Sequence, residues 1–134
     1  MKRIISIVVG ITILILAAYP VSAVEPRYTN VCDVTLMFSI MESGLAEVGI
    51  YVQGDAALTQ SNVTIYLERE VGASWSRVSI GTENNVWEYS TTNREFTKSF
   101  NMQLRRTGTY RAVAVFTFNG VTIETITRTA VDTY

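Results

Sequence analysis

Few side chains in this chain could do covalent chemistry. Histidine is absent and there is one cysteine, Cys32. Without an imidazole the chain lacks the commonest general base and the commonest zinc ligand. A single thiol can neither close an internal disulfide nor build a thiolate metal cluster. Cys32 also has no histidine partner to activate it. It opens the alternating run Cys32-Asp33-Val34-Thr35-Leu36 on the apolar side, which predicts a buried, inert thiol. An intermolecular disulfide is open to it only if its strand is an exposed edge. The 12 Asp and Glu leave a second route, two carboxylates facing across a cleft as in a glycosidase. No acid falls in calcium-loop spacing, and Glu68-Arg69-Glu70 reads as a solvated strand end. A carbohydrate-active enzyme is therefore the remote reading. The expectation is no catalytic residue, no metal ligand and no cofactor.

Aromatic side chains are the better candidates, because rings on a sheet face or loop can stack on a sugar or anchor a protein partner. Alternation places Tyr51 and Tyr66 on outward faces, and Trp87 and Tyr89 flank Glu88 in a polar stretch. These four are the candidate ligand-binding residues. The competing reading has Trp75 and Trp87 capping the open edges of a core. Arg105-Arg106 reads as solvated loop charge. The formal net charge of −1, from 11 Lys and Arg against 12 acids, gives no electrostatic footprint for nucleic acid.

The elements that must position these residues begin after an address. Lys2 and Arg3 precede an apolar run from Ile4 to Ala18, Pro20 breaks it, and Val21-Ser22-Ala23 offers small residues at the positions a signal peptidase reads. The run is shorter than the roughly 20 residues that span a bilayer comfortably. The pattern predicts a signal peptide over residues 1–23, cleaved between Ala23 and Val24, and a secreted domain over 24–134. The alternative is an uncleaved anchor; otherwise membrane contact ends with cleavage. Cleavage removes Lys2 and Arg3 and no acid, so 9 cations face 12 acids and the domain carries −3.

The domain reads as strands. Val34, Leu36, Phe38 and Ile40 share a face with Cys32 in strand A. Ala46, Val48, Ile50 and Val52 point inward in strand B, and Val63, Ile65 and Leu67 do so in strand C. Residues 75–80 form a short fourth strand, 81–93 read as a connection, and Phe96, Phe100, Met102 and Leu104 line strand E with Lys98 interrupting. The segments 109–118 and 121–130 flank Asn119-Gly120, a pair suited to a two-residue type I′ turn in which both positions need positive φ. That turn would place Phe118 opposite Val121, Phe116 opposite Ile123 and Arg111 opposite Arg128. No helix-period segment, repeat or low-complexity tract interrupts the pattern. The fold class expected is all-β, an antiparallel two-sheet sandwich of about seven strands.

Leu104-Arg105-Arg106-Thr107-Gly108-Thr109-Tyr110-Arg111-Ala112 has the spacing L-x-x-x-G-x-Y-x-small. It resembles the tyrosine corner of immunoglobulin-type sandwiches, in which the tyrosine hydroxyl bonds back to upstream backbone. The core cysteine position is taken by Ala112, and Ile65 and Leu67 stand where immunoglobulin domains place tryptophan. Fibronectin type III and bacterial immunoglobulin-like domains also lack the disulfide. Across most of residues 24–134, Arg27-Tyr28-Thr29-Asn30, Gly72-Ala73-Ser74-Trp75 and Gly108-Thr109-Tyr110-Arg111 with a closing hairpin resemble a family of small secreted proteins of low-GC Gram-positive bacteria. That resemblance implies an extracellular bacterial protein and supplies no activity. The function expected is a secreted, non-catalytic binding domain acting at or outside the cell surface on a protein or glycan. The alternative is a self-assembling surface protein that uses edge strands, terminal strands A and G in particular.

Overall fold

The computed structural model describes residues 28–134. The expected signal segment, with Ala23 and Val24, lies outside the described residues. Every alternating segment of the sequence forms a strand. In chain order these are β1 (Val31–Ile40), β2 (Leu45–Gly54), β3 (Gln60–Val71), β4 (Ser74–Arg77), β5 (Trp87–Thr91), β6 (Glu95–Gln103), β7 (Thr109–Asn119) and β8 (Ile123–Thr133). All pairings are antiparallel. One sheet has three strands in the order β1-β2-β6; the other has five, in the order β4-β3-β7-β8 with β5 also on β3. β5 pairs with Ser61–Ile65 and β4 with Glu68–Val71, so the two share one edge of β3 in succession.

The two sheets pack face to face as a sandwich. Val48, Ile50 and Val52 from one sheet and Ile65, Leu67, Phe116 and Phe118 from the other are fully buried. Each such side chain contributes roughly 1.5–3 kcal/mol relative to exposure. Phe116 and Phe118 stack at 5.7 Å, consistent with successive inward positions on one strand. The inward faces of β1 from Val34 onward, and of β2 and β3, are those alternation predicts.

The fourth strand, expected over residues 75–80, stops at Arg77, and three further features differ from expectation. Residues 87–91, read as connection, form β5, because Trp87 and Tyr89 bring apolar rings to the inner face while Glu88 and Ser90 stay exposed. Cys32 is exposed rather than buried. The β1–β2 register shifts between Val31 and Asp33, and this bulge turns Val31 into the core and Cys32 out. The β7–β8 hairpin does not close at Asn119-Gly120. Asn119 pairs with Ile123 and Phe118 with Glu124, so Gly120, Val121 and Thr122 form the loop. Neither Asn119 nor Gly120 has positive φ. Gly120 is needed for space instead: a Cβ there would collide with the Asn30 side chain and lie 2.9 Å from the Ala57 carbonyl.

The altered register is an odd number of residues from the expected one, so it exchanges the faces of β8. Ile126 becomes core and Arg111 faces Val131, not Arg128. The exchange also points Glu124, Arg128 and Asp132 toward β1. Glu124 accepts from the Thr29 and Asn30 amides at 2.9 and 3.2 Å. Arg128 donates to the Val34 carbonyl at 3.3 Å and to the Tyr28 hydroxyl. Asp132 accepts from the Ile40 amide at 2.8 Å. The β1 edge is thus strapped along its length by side chains of β8.

Candidate functional site

The four candidate aromatics do not converge on one surface. Tyr51 lies on the outer face of the three-stranded sheet and donates to Glu95 at 3.0 Å. That hydrogen bond to a carboxylate holds its ionisation above the usual tyrosine value. Tyr66 lies on the outer face of the other sheet, with the Arg77 guanidinium 3.6 Å above its ring. Nearby, Arg111 covers Trp75 at 4.3 Å and pairs with Glu68 at 2.8 Å. Trp87 and Tyr89 do sit together, half-buried where β5 faces β6. Trp87 stacks on Phe100 at 5.4 Å and Tyr89 tilts against Phe96 at 5.6 Å. Lys98, also on β6, sets its ammonium 5.3 Å from the Tyr89 ring. These two rings therefore close the margin between the sheets, the capping position weighed for Trp87.

Farther along the same margin the rings run out and the sandwich opens. Past Val78, whose amide still donates to the Leu67 carbonyl at 2.9 Å, the chain leaves the edge of β3, and β6 ends at Gln103. Between them lies a groove of about 630 Å³, within the size range of ligand sites, roughly 300–1,000 Å³. Val78, Ile80, Met102, Leu104 and Tyr110 supply apolar surface, and Arg69, Arg77, Arg105 and Arg106 line it with no acid among the lining residues.

The β6–β7 corner shapes this groove. The Tyr110 hydroxyl donates to the Arg106 carbonyl at 2.6 Å, which folds the corner back on its own strand. Tyr110 is buried and Ala112 is fully buried beyond it. Gly108 has φ of 147°, which other residues adopt only with strain, and a Cβ there would meet Arg69 Nε at 3.0 Å. The bare glycine lets the Arg69 guanidinium lie against the corner and donate to the Thr107 carbonyl through Nε at 3.2 Å and through a terminal nitrogen at 2.9 Å. Arg69 is thereby fixed, while Arg105 and Arg106 are exposed on the rim.

Among the described residues the Arg111–Glu68 contact is the one ion pair, so the groove's arginines carry uncompensated charge. No group of three or more His, Cys, Asp or Glu among the described residues could hold a metal ion. The arrangement is suited to binding an anionic or mixed polar–apolar ligand. Sequence reasoning missed the groove because its parts are distant in the chain. One signal was present: Arg69 follows Ile65 and Leu67 at the inward spacing of β3, where a solvated charge does not belong. Neither the protein-family models nor the curated proteins contain a match to this chain.

Proposed function

We propose that this chain is a secreted, non-catalytic binding domain of the immunoglobulin or fibronectin type III kind, and that it engages a protein or glycan at or outside the cell surface. The fold assignment is supported by the corner hydrogen bond from Tyr110 to Arg106. It is also supported by the strand order, in which β1, β2 and β6 face a sheet centred on β3 and β7. The signal-like residues 1–23 support export. The single observation that carries binding is the groove, with an apolar floor and unpaired arginines at one end of a sandwich. Function on such a scaffold resides in the site, not the fold.

The test is retention. The protein, purified from cells expressing the full chain, is immobilised and offered cell envelope, soluble glycans and secreted proteins of the producing cell. Specific retention that disappears when Ser79→Trp fills the groove is expected. Retention that survives groove filling places the binding surface elsewhere.

Self-assembly through an edge strand is favoured by the strands that pair on one side only. β6 pairs only with β2, so its other edge carries unpaired backbone groups. Of the two edges expected from the sequence, strand A is strapped by β8 side chains, while strand G, as β8, pairs only with β7. Mass measured against concentration decides: a protomer that stays monomeric at high concentration removes assembly.

A further inference from the structure

Taking the groove as the binding site, we propose that its occupant is an extended acidic peptide segment of a partner protein, with an aliphatic side chain seated on the floor. Charge is the first argument. Of the 11 Lys and Arg, Lys2, Arg3 and Arg27 precede the described residues, and three of the remaining eight, Arg69, Arg105 and Arg106, gather at this one groove, while Arg77 lines it from β4 with its guanidinium turned onto Tyr66. The chain as a whole is net acidic, with 12 Asp and Glu. Cations segregated this way favour carboxylates and repel basic partners. Arg69 is held by its two bonds to Thr107, so its remaining donors are presented without the entropy cost of ordering a free arginine.

The backbone is the second argument. β4 pairs with β3 on one side only, so its other edge, which reaches the groove at Ser76 and Arg77, holds unpaired N–H and C=O groups. A phosphate or sulfate can accept from the donors but offers nothing to the carbonyls. An acyl chain satisfies neither. An extended peptide supplies both, which is strand addition to an exposed edge. Alternate side chains of an added strand point to opposite faces, so one set reaches Val78, Ile80 and Met102 while the backbone runs past Arg105 and Arg106 on the rim.

The experiment uses immobilised peptides of one length in three series, Val and Leu alternating with Glu and Asp, with Lys, or with Ser and Gln, together with phosphatidylglycerol vesicles. The full protein is compared with Arg105→Ala/Arg106→Ala and with Ser79→Glu, all three positions being exposed. Thermal midpoints confirm that the variants fold. Retention of the acidic series alone is expected, weakening with salt and falling about tenfold in each variant. No retention of acidic peptides overturns the proposal, as do equal retention of the lysine series, retention of vesicles alone, and acidic retention indifferent to both variants. Groove-dependent retention of envelope or secreted material without any acidic peptide binding removes the peptide while leaving the binding reading. Loss of both removes both.

Discussion

On the β1–β8 side of the sandwich, three side chains of one strand hold the backbone of another. On the β5–β6 side, rings lean on rings and then stop. The first margin is directional: Glu124, Arg128 and Asp132 recur every fourth residue, Glu124 bonding the main chain just before β1 and the other two bonding main-chain groups within it. Inward-pointing charges of this kind blunt an edge against foreign strands. The second margin is non-directional. Trp87 on Phe100 and Tyr89 near Phe96 exclude water only where rings are present, and beyond them the sheets part into the groove. A seam sealed by hydrogen bonds leaves no room for a ligand, whereas a seam sealed by packing can be left open at one end at no cost in unpaired backbone elsewhere.

The largest expected effect breaks the aromatic margin. Trp87→Ala is expected to cost about 2–3 kcal/mol, toward the low end for a large aromatic because the ring is half-buried. A lower urea midpoint at unchanged slope is the readout. Breaking the strapped margin costs less. Arg128→Ala removes the donor to Val34 and a cation over the Tyr28 ring, an expected loss of about 1–2 kcal/mol. Sedimentation should also show concentration-dependent association absent in Trp87→Ala, because a β1 edge has been uncovered. Tyr110→Phe deletes one hydrogen bond at the corner between the margins. It should lower the thermal midpoint by the equivalent of about 1 kcal/mol.

Tyr51 belongs to neither margin and sets the lower bound. Its ionisation is raised in the fold, chiefly by the hydrogen bond to Glu95. The neutral phenol is thus the stabilised form. Its contribution is fully present below the unfolded value of about 10 and is lost as pH rises through the higher folded value. Tyr51→Phe should remove that contribution at neutral pH, the smallest loss of the four variants, and flatten the alkaline limb of a stability–pH curve.

Much of this was legible in the residues. The inward rows Ala46 to Val52 and Val63 to Leu67 follow from period two, and the Tyr110 corner follows from spacing. What was not legible had a local cause that overrode a local signal. Asn119-Gly120 signals a tight turn, but Gly120 is used for close approach to Asn30 and the loop lengthens. The face exchange in β8 then turns charges expected outside into the strap across β1. Cys32 obeys alternation until a bulge one residue away reverses it. The groove is assembled from Arg69, the 78–80 connection and the 102–106 corner, and no window of sequence contains all three.

The measurement that bears most directly on a groove-centred account compares two double variants with the same change in charge. Arg105→Ala/Arg106→Ala strips the groove rim; Arg94→Ala/Lys98→Ala strips exposed cations elsewhere. The first should alter stability by no more than about 0.5 kcal/mol, since both side chains are exposed, and the second by no more than about 1 kcal/mol, since Lys98 also lies over the Tyr89 ring. Retention of envelope and secreted material from the producing cell is then measured for both. Loss in the first and persistence in the second is the predicted result. Equal retention by the two, or loss only when Arg94 and Lys98 are removed, would contradict it.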